Sequence, residues 1–321
     1  KEVGWIEQPL ATRVENVNPF HVVDYTGNVQ LTPSSDSWVS TLRINNANIG
    51  WGSIVVSSRD VVVASGSERF MRSRNTQFSV RNIKPLTRFY QFLDGNGGVD
   101  FIPKLIEIAT DDSLETYGSS SPFTVGEEVI GRFDGQNLIS FRVAKSNHKY
   151  GAFNSPSTVY NINPYVKDEN LPEEYTQSSK VLNVDTFSLA SQAQGRYSGY
   201  LVKGMQLVGQ TSGAIAYVKD LRLISDNYGD LIGSFFIRNP LTNPAPLVRI
   251  STGTKTYRIT NSSTNAKPLP GSKLITSAET SYRSTGIWRR LQRVTVRRNP
   301  PPPPIFYGDP LAQTFIVGTN I

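Results

Sequence analysis

The clearest alternation of apolar and polar residues lies between Phe70 and Gly95. Phe78 and Val80 alternate with polar neighbours, which is the two-residue period of a half-buried β-strand. Pro85 fixes its own φ and disfavours helix at the preceding residue, so the pattern predicts a corner at residues 82–85. A second strand is predicted after the corner, because residues 87–93 carry three aromatic side chains.

The residues of this corner carry a resemblance to a known fold. Their spacing, I-x-P-x-T-x-x-Y, resembles the corner of immunoglobulin-like and fibronectin-type sandwiches, where a Tyr hydroxyl bonds to the backbone just upstream. The resemblance implies that Tyr90 is the structural corner residue, with Ile83 in the core and Pro85 in the turn. An ordinary aromatic hairpin in another β fold is the alternative.

Other parts of the chain also favour strands over helices. No segment keeps a helical period over three turns, and the nearest candidates are residues 102–116 and 175–194. Further strands are predicted at 53–57, 60–64, 231–240, 252–260 and 287–297. We therefore predict an all-β chain of immunoglobulin-like sandwich and small β modules, with long loops and little helix.

A weak internal repeat follows a Gly-Ser-Ser-Ser-Pro linker that begins after Tyr117. Residues 125–131 are echoed by residues 202–209, and each copy runs on into a strand. The repeat predicts two short β modules in tandem, and chance similarity between Gly/Val-rich hairpins is the alternative.

The formal net charge of +7 is concentrated near the C-terminus. Residues 280–308 contain six arginines and no acidic residue, so the rest of the chain is nearly neutral and a uniformly basic, nucleic-acid-binding surface is not expected. Alternation places Arg289, Arg293 and Arg297 on one face of a strand, where guanidinium groups suit carboxylates of a neighbouring chain. The alternative is a solvated edge that resists aggregation.

Catalytic and metal-binding residue types are scarce. The chain has no cysteine and two histidines, and its adjacent acid pairs are typical of solvated loops. Residues 226–230, D-N-Y-G-D, lack the acid spacing of a calcium loop and predict a turn. We expect no catalytic residue, no metal, no cofactor and no enzymatic activity.

Longer motifs resemble a family of viral proteins. The motifs are N-P-F-x-V-V-x-Y-T-G-x-x-x-L-x-P-S-S-D-x-W from Asn18, F-M-R-S-R from Phe70, K-P-x-T-R-F-Y-x-F-x-D-G from Lys84 and D-P-L-A-Q-T-F from Asp309. They are similar to large tail-fibre or baseplate-associated virion proteins of contractile-tailed, T4-like phages of cyanobacteria. In that family the strand at 231–240 follows the first sandwich after a short spacer, which implies that 118–229 is an insertion.

These patterns divide the chain into five predicted segments. They are lead-in strands and loops (1–45), a first sandwich (46–117), inserted small β modules (118–229), return strands that complete or extend the sandwich (230–299), and a polyproline spacer with the start of a following β domain (300–321). The chain has no apolar run of membrane-spanning length and no signal peptide, so we expect a soluble segment of a longer polypeptide.

The resemblance implies a structural part of the virion, made in the host cytoplasm, that links the particle to a distal receptor-binding part. Expected partners are further copies of the chain, as a homo-oligomer with three copies the usual number, and other tail or baseplate proteins. The alternatives are a glycan-binding adhesin that uses Tyr197, Tyr200 and Tyr217 as an aromatic platform on a host surface glycan, and a polysaccharide depolymerase.

Overall fold

A computed structural model describes residues 25, 27–44, 54–166, 168–191, 196–242, 246, 248–267 and 275–298, with the backbone alone at 54–56, 297 and 298. The described elements, in chain order, are β1 Asn28–Thr32, β2 Ser35–Ile44, β3 Ile54–Ser67, β4 Arg74–Arg81, β5 Arg88–Leu93, β6 Asp100–Pro103, β7 Leu105–Ala109, β8 Glu128–Phe133, β9 Gln136–Arg142, β10 His148–Ala152, β11 Ser155–Val159, β12 Val181–Asn183, α1 Thr186–Ala190, β13 Ser198–Gly199, β14 Gln206–Gly209, β15 Ile215–Asp220, β16 Leu223–Ile224, β17 Leu231–Ile237, β18 Gly253–Thr260 and β19 Ser277–Arg298.

The predicted all-β class is confirmed, since strands dominate and the described residues hold one five-residue helix. No described helix has the length and apolarity of a membrane span. The chain divides into two compact units, which we call the first unit (Lys1–Ser37 and Arg69–Thr285) and the second unit (Trp38–Glu68 and Gly286–Ile321). Strands β2 and β19 contribute residues to both.

The first unit contains a β-sandwich. One sheet has the strand order β1-β4-β17-β6, and strands β16-β5-β18-β19 follow one another in the other sheet. Side chains from both sheets form a single buried cluster. The ring of Phe235 on β17 lies 4.8 Å from that of Tyr257 on β18 and 5.5 Å from that of Tyr282 on β19, so aromatic pairs join the two sheets.

The corner between β4 and β5 is present, but it is built differently from the prediction. Ile83 is buried as expected, and its N–H donates to the carbonyl of Gly229 at 3.1 Å. The local bond at Pro85 comes from the Thr87 hydroxyl, which donates to the Pro85 carbonyl at 2.8 Å. Tyr90 is half-buried beneath the Arg88 guanidinium, and its hydroxyl has no hydrogen-bond partner among the described residues. The tyrosine-corner assignment is therefore wrong, because β5 directs Phe89 into the core in place of Tyr90.

A second body of the first unit is a seven-stranded antiparallel sheet in the order β12-β7-β15-β14-β8-β9-β13. We call it the module sheet. The two copies of the sequence repeat are neighbours within it, because β8 pairs with β14 from Val129 opposite Gly209 to Arg132 opposite Gln206. They share one buried cluster with the other strands of this sheet, so they are adjacent hairpins of a single body rather than two modules in tandem.

The chain enters and leaves the module sheet at nearly the same place. β6 belongs to the sandwich and β7 to the module sheet, while β16 returns to pair with β5. The hydroxyl oxygen of Tyr165 lies 2.9 Å from the carbonyl oxygen of Leu105 and 3.0 Å from that of Arg222. One side chain thus ties the outgoing and returning segments together.

The described strands are distributed differently from the predicted segments. β1, in the predicted lead-in, pairs with β4 inside the sandwich. The predicted insertion covers 118–229, whereas the segment that leaves the sandwich after β6 and returns at β16 runs from about Leu105 to Arg222. The two strands predicted within 53–64 are one strand, β3, because β19 pairs with it along its length and bulges absorb the extra residues. Residues 300–321 lie outside the described residues.

Candidate assembly surface

The described part of the second unit is built from three strands with β19 in the middle. β3 pairs antiparallel with β19 from Ser67 opposite Ile287 to Ile54 opposite Arg298, and β2 lies on the other side of β19. The sequence favours this arrangement because β3 and β19 are rich in Val, Thr and Ser and lack internal proline. Within the described residues of this unit, β2 and β3 are edge strands.

Two tryptophans are fixed by glycines on neighbouring strands. Trp288 on β19 lies over Gly66 on β3, and Trp38 on β2 lies over Gly286 on β19. A Cβ at either glycine would collide with the indole ring, so the close approach requires glycine at both positions. Trp288 nevertheless remains 38% exposed.

Apolar side chains of the second unit are exposed on both faces of the sheet. Alternation along β19 puts Ile287 and Leu291 on one face, with Trp288, Val294 and Val296 on the other. Val62 is 50% exposed and Val296 is 56% exposed. The exposed apolar residues of this unit are Val39, Leu42, Val62, Val63, Ile287, Trp288, Val294 and Val296. A patch of this kind is typical of a surface that binds another protein.

The predicted arginine contacts lie on this same surface. Arg289 and Arg293 are exposed on the face of Ile287, and the side chain of Arg297 lies outside the described residues. Arg293 stands opposite Asp60 in the strand register and donates to the Ser58 hydroxyl at 3.1 Å. Arg289 and Arg290 have no ion-pair partner among the described residues, so their charges are available to an acidic neighbour.

The three tyrosines of the adhesin alternative do not form an exposed platform. Tyr197 is buried in the core of the module sheet. Tyr200 stacks on Phe236 at 5.7 Å, with the Arg238 guanidinium 3.9 Å from its ring centre. Tyr217 is half-buried, and its hydroxyl accepts a hydrogen bond from Gln206. Their surroundings therefore differ, and the three rings do not share one exposed face.

The acid pair Glu127–Glu128 has a structural role that the sequence did not reveal. Glu127 is buried, and its carboxylate accepts from the backbone N–H groups of Thr124, Thr211 and Ser212 and from the Ser212 hydroxyl. It therefore fastens the start of β8 to the turn between β14 and β15. Glu128 forms an ion pair with Arg196. Neither carboxylate is free to act on a substrate.

Two buried titratable side chains in the first unit, Lys104 and His148, were also missed from the sequence. Burial lowers the pKa of Lys104 to about 7, and the nearby Asp185 carboxylate opposes this shift. The Lys104 ammonium donates to the Val184 carbonyl at 2.9 Å. Burial, with the charge of Lys104 as a further cause, lowers the pKa of His148 to about 4. Among the described residues no group of three His, Asp or Glu is placed to hold a metal ion.

Comparisons with protein-family models, with curated protein sequences and with solved structures found no match to this chain.

Proposed function

We propose that this chain is a structural subunit of a phage virion, part of a tail fibre or of a fibre attached to the baseplate. In this role it connects the particle to a distal receptor-binding part and works by holding position rather than by catalysis. The exposed apolar sheet of the second unit carries the proposal, because a three-stranded sheet with apolar side chains on both faces gains stability when another protein covers it.

The partner that we assign to this surface is another copy of the same chain. The edge strands β2 and β3 offer backbone groups for pairing, and burial of exposed Val, Ile and Trp side chains supplies the apolar contribution. The unpaired arginines match the exposed acids Asp111, Asp112 and Glu115 of the first unit, which a second copy brings with it. The motifs that resemble contractile-tailed phage proteins support the same role, and virion location follows from it.

The test is the oligomeric state of the purified chain, measured by light scattering over a range of concentrations. We expect an oligomer, with a trimer as the expected species, and Val294→Lys should shift the population towards monomer. Leu241→Lys is the matched control, because Leu241 is an exposed apolar residue of the first unit. A wild-type chain that stays monomeric at every concentration would rule out self-assembly through this surface.

A further inference from the structure

The buried lysine Lys149 lies against the turn formed by residues 226–230. Its side chain is 4% exposed, and its Nζ is 2.6 Å from Oδ2 of Asp226 and 2.6 Å from Oδ2 of Asp230. Lys149 is on β10, in the inserted part of the chain, whereas the turn connects β16 and β17 of the sandwich. The contact therefore joins two parts of the first unit that are distant in sequence.

The carboxyl group of Asp226 is held in a defined orientation. Its Oδ1 accepts hydrogen bonds from the backbone N–H groups of Tyr228 and Asp230, both at 2.9 Å. Its Oδ2 is buried and makes no hydrogen bond of ordinary geometry, although the Lys149 Nζ is in close contact. One oxygen is thus fixed by two donors, while the other faces the amine.

Aromatic rings surround the amine. The centres of the Tyr150, Tyr160 and Tyr228 rings lie 5.6, 5.7 and 5.3 Å from the Lys149 Nζ. Burial lowers the pKa of Lys149, but the Asp226 and Asp230 carboxylates oppose this shift and leave the pKa above 10.5. The resting state is therefore a desolvated ion pair, and removal of both charges from the interior would relieve the cost of burying them.

We propose that Lys149 and Asp226 condense to form an intramolecular amide bond between Nζ and Cγ. The Asp230 carboxylate relays a proton from the Lys149 ammonium to Oδ2 of Asp226, and the neutral amine then attacks Cγ of the resulting carboxylic acid group. Negative charge then develops on Oδ1, where the two backbone N–H groups stabilise it in the manner of an oxyanion hole.

The atoms balance without any further reactant. Oδ2 of Asp226 leaves as water and takes two of the three ammonium protons, which Asp230 relays, while the third proton stays on the amide nitrogen. One C–N bond forms and one C–O bond breaks. Asp230 ends in the carboxylate form in which it began, so its role is that of a general acid and base.

The mass of the intact chain tests the proposal directly. We expect the purified full chain to be one water molecule lighter than its sequence, and a protease digest to contain a branched peptide that joins Lys149 to Asp226. Lys149→Arg keeps the charge but cannot form the amide, so it should have the full sequence mass. Lys145→Arg is the matched control and should remain one water molecule lighter, because Lys145 pairs with Glu173 away from this turn.

Two results would overturn the proposal. If the wild-type chain has its full sequence mass and yields no branched peptide, then Lys149, Asp226 and Asp230 form ion pairs only. Asp230→Asn should leave a larger unlinked fraction, and complete linkage in that variant would remove Asp230 from the mechanism. The wild-type measurement decides the central claim even where a variant fails to fold.

Discussion

At the residue scale, Lys104 couples the stability of the first unit to pH. Its pKa falls from the usual 10.5 to about 7 in the folded chain because the ammonium is buried. Between these values the unfolded chain binds more protons, so the free energy of unfolding rises with pH, by up to about 1.4 kcal/mol per unit. Below pH 7 Lys104 is protonated in both the folded and the unfolded chain. The folded chain then bears the full free-energy cost of the buried charge.

The prediction is that Lys104→Met flattens this dependence. Urea titrations at pH 7, 8 and 9 should give a steeper rise for the wild type than for Lys104→Met. The exposed Lys203 provides the control, since Lys203→Met removes an ammonium that lies in water in the folded chain. If the free energy of unfolding rises equally steeply with pH in the wild type and in Lys104→Met, then Lys104 reaches solvent in the folded chain.

The sequence predicted some single residues well and others poorly. Phe78, Val80, Tyr257 and Ile259 are buried as their alternation indicates. In β5 the aromatic residues occupy both odd and even positions, and therefore both faces of the strand. Alternation alone could not decide whether Phe89 or Tyr90 faces the core. The Glu127 partners Thr211 and Ser212 and the Lys149 partners come from segments at least 70 residues away, and no local pattern reports contacts of that range.

At the element scale, the segment that leaves the sandwich after β6 and returns at β16 has its two ends close together. The carbonyl oxygens of Leu105 and Arg222 are each about 3 Å from one hydroxyl oxygen, so a few residues can span the gap between these ends. Deletion of residues 106–221 with a short Gly-Ser linker should leave a sandwich that unfolds cooperatively. It should be less stable than the whole chain, because the Lys149 ion pairs and the Asn75–Gly199 hydrogen bonds are lost.

A urea titration measures this outcome. Unfolding is monitored by the circular dichroism of the backbone, which does not depend on tryptophan. The control is the deletion of 118–229, which also removes β16 and the Gly229 carbonyl that accepts from Ile83. The 118–229 deletion should be the less stable of the two. Loss of cooperative unfolding in the 106–221 deletion would show that the sandwich depends on the module sheet for its fold.

Element types were easier to predict than element partners. Alternation located β4, β5, β17 and β18, because each has an apolar face that the sandwich buries. The pairing of β8 with β14 could not be derived from the repeat, since similar hairpins can stack in tandem or join edge to edge. β3 was divided in two because a polar Ser-Ser-Arg-Asp stretch within a long exposed strand has the composition of a turn.

At the scale of the whole molecule, the arginines of the second unit distinguish assembly from simple solubility. We predict that Arg289→Gln combined with Arg293→Gln lowers the oligomer population and weakens its dependence on salt, because interfacial charge pairs are screened by ions. The melting temperature should change little, since both side chains are exposed. Light scattering at low and high salt, with a thermal melt, measures both quantities.

The matched control removes two positive charges from the first unit through Arg132→Gln and Lys203→Gln, both at exposed positions. Its assembly should equal that of the wild type. If the arginines only keep an edge strand soluble, the test variant will assemble normally and precipitate more readily.

The shared exit and entry point of the module sheet also bears on how such a chain changes through evolution. Since the carbonyl oxygens of Leu105 and Arg222 both lie about 3 Å from the Tyr165 hydroxyl oxygen, the two ends of the intervening segment are close together, and another segment with equally close ends can replace it as a cassette. A single recombination event can replace such a cassette without redesign of the sandwich core. The same sandwich can therefore carry different segments at this position without a change in the strands that flank it.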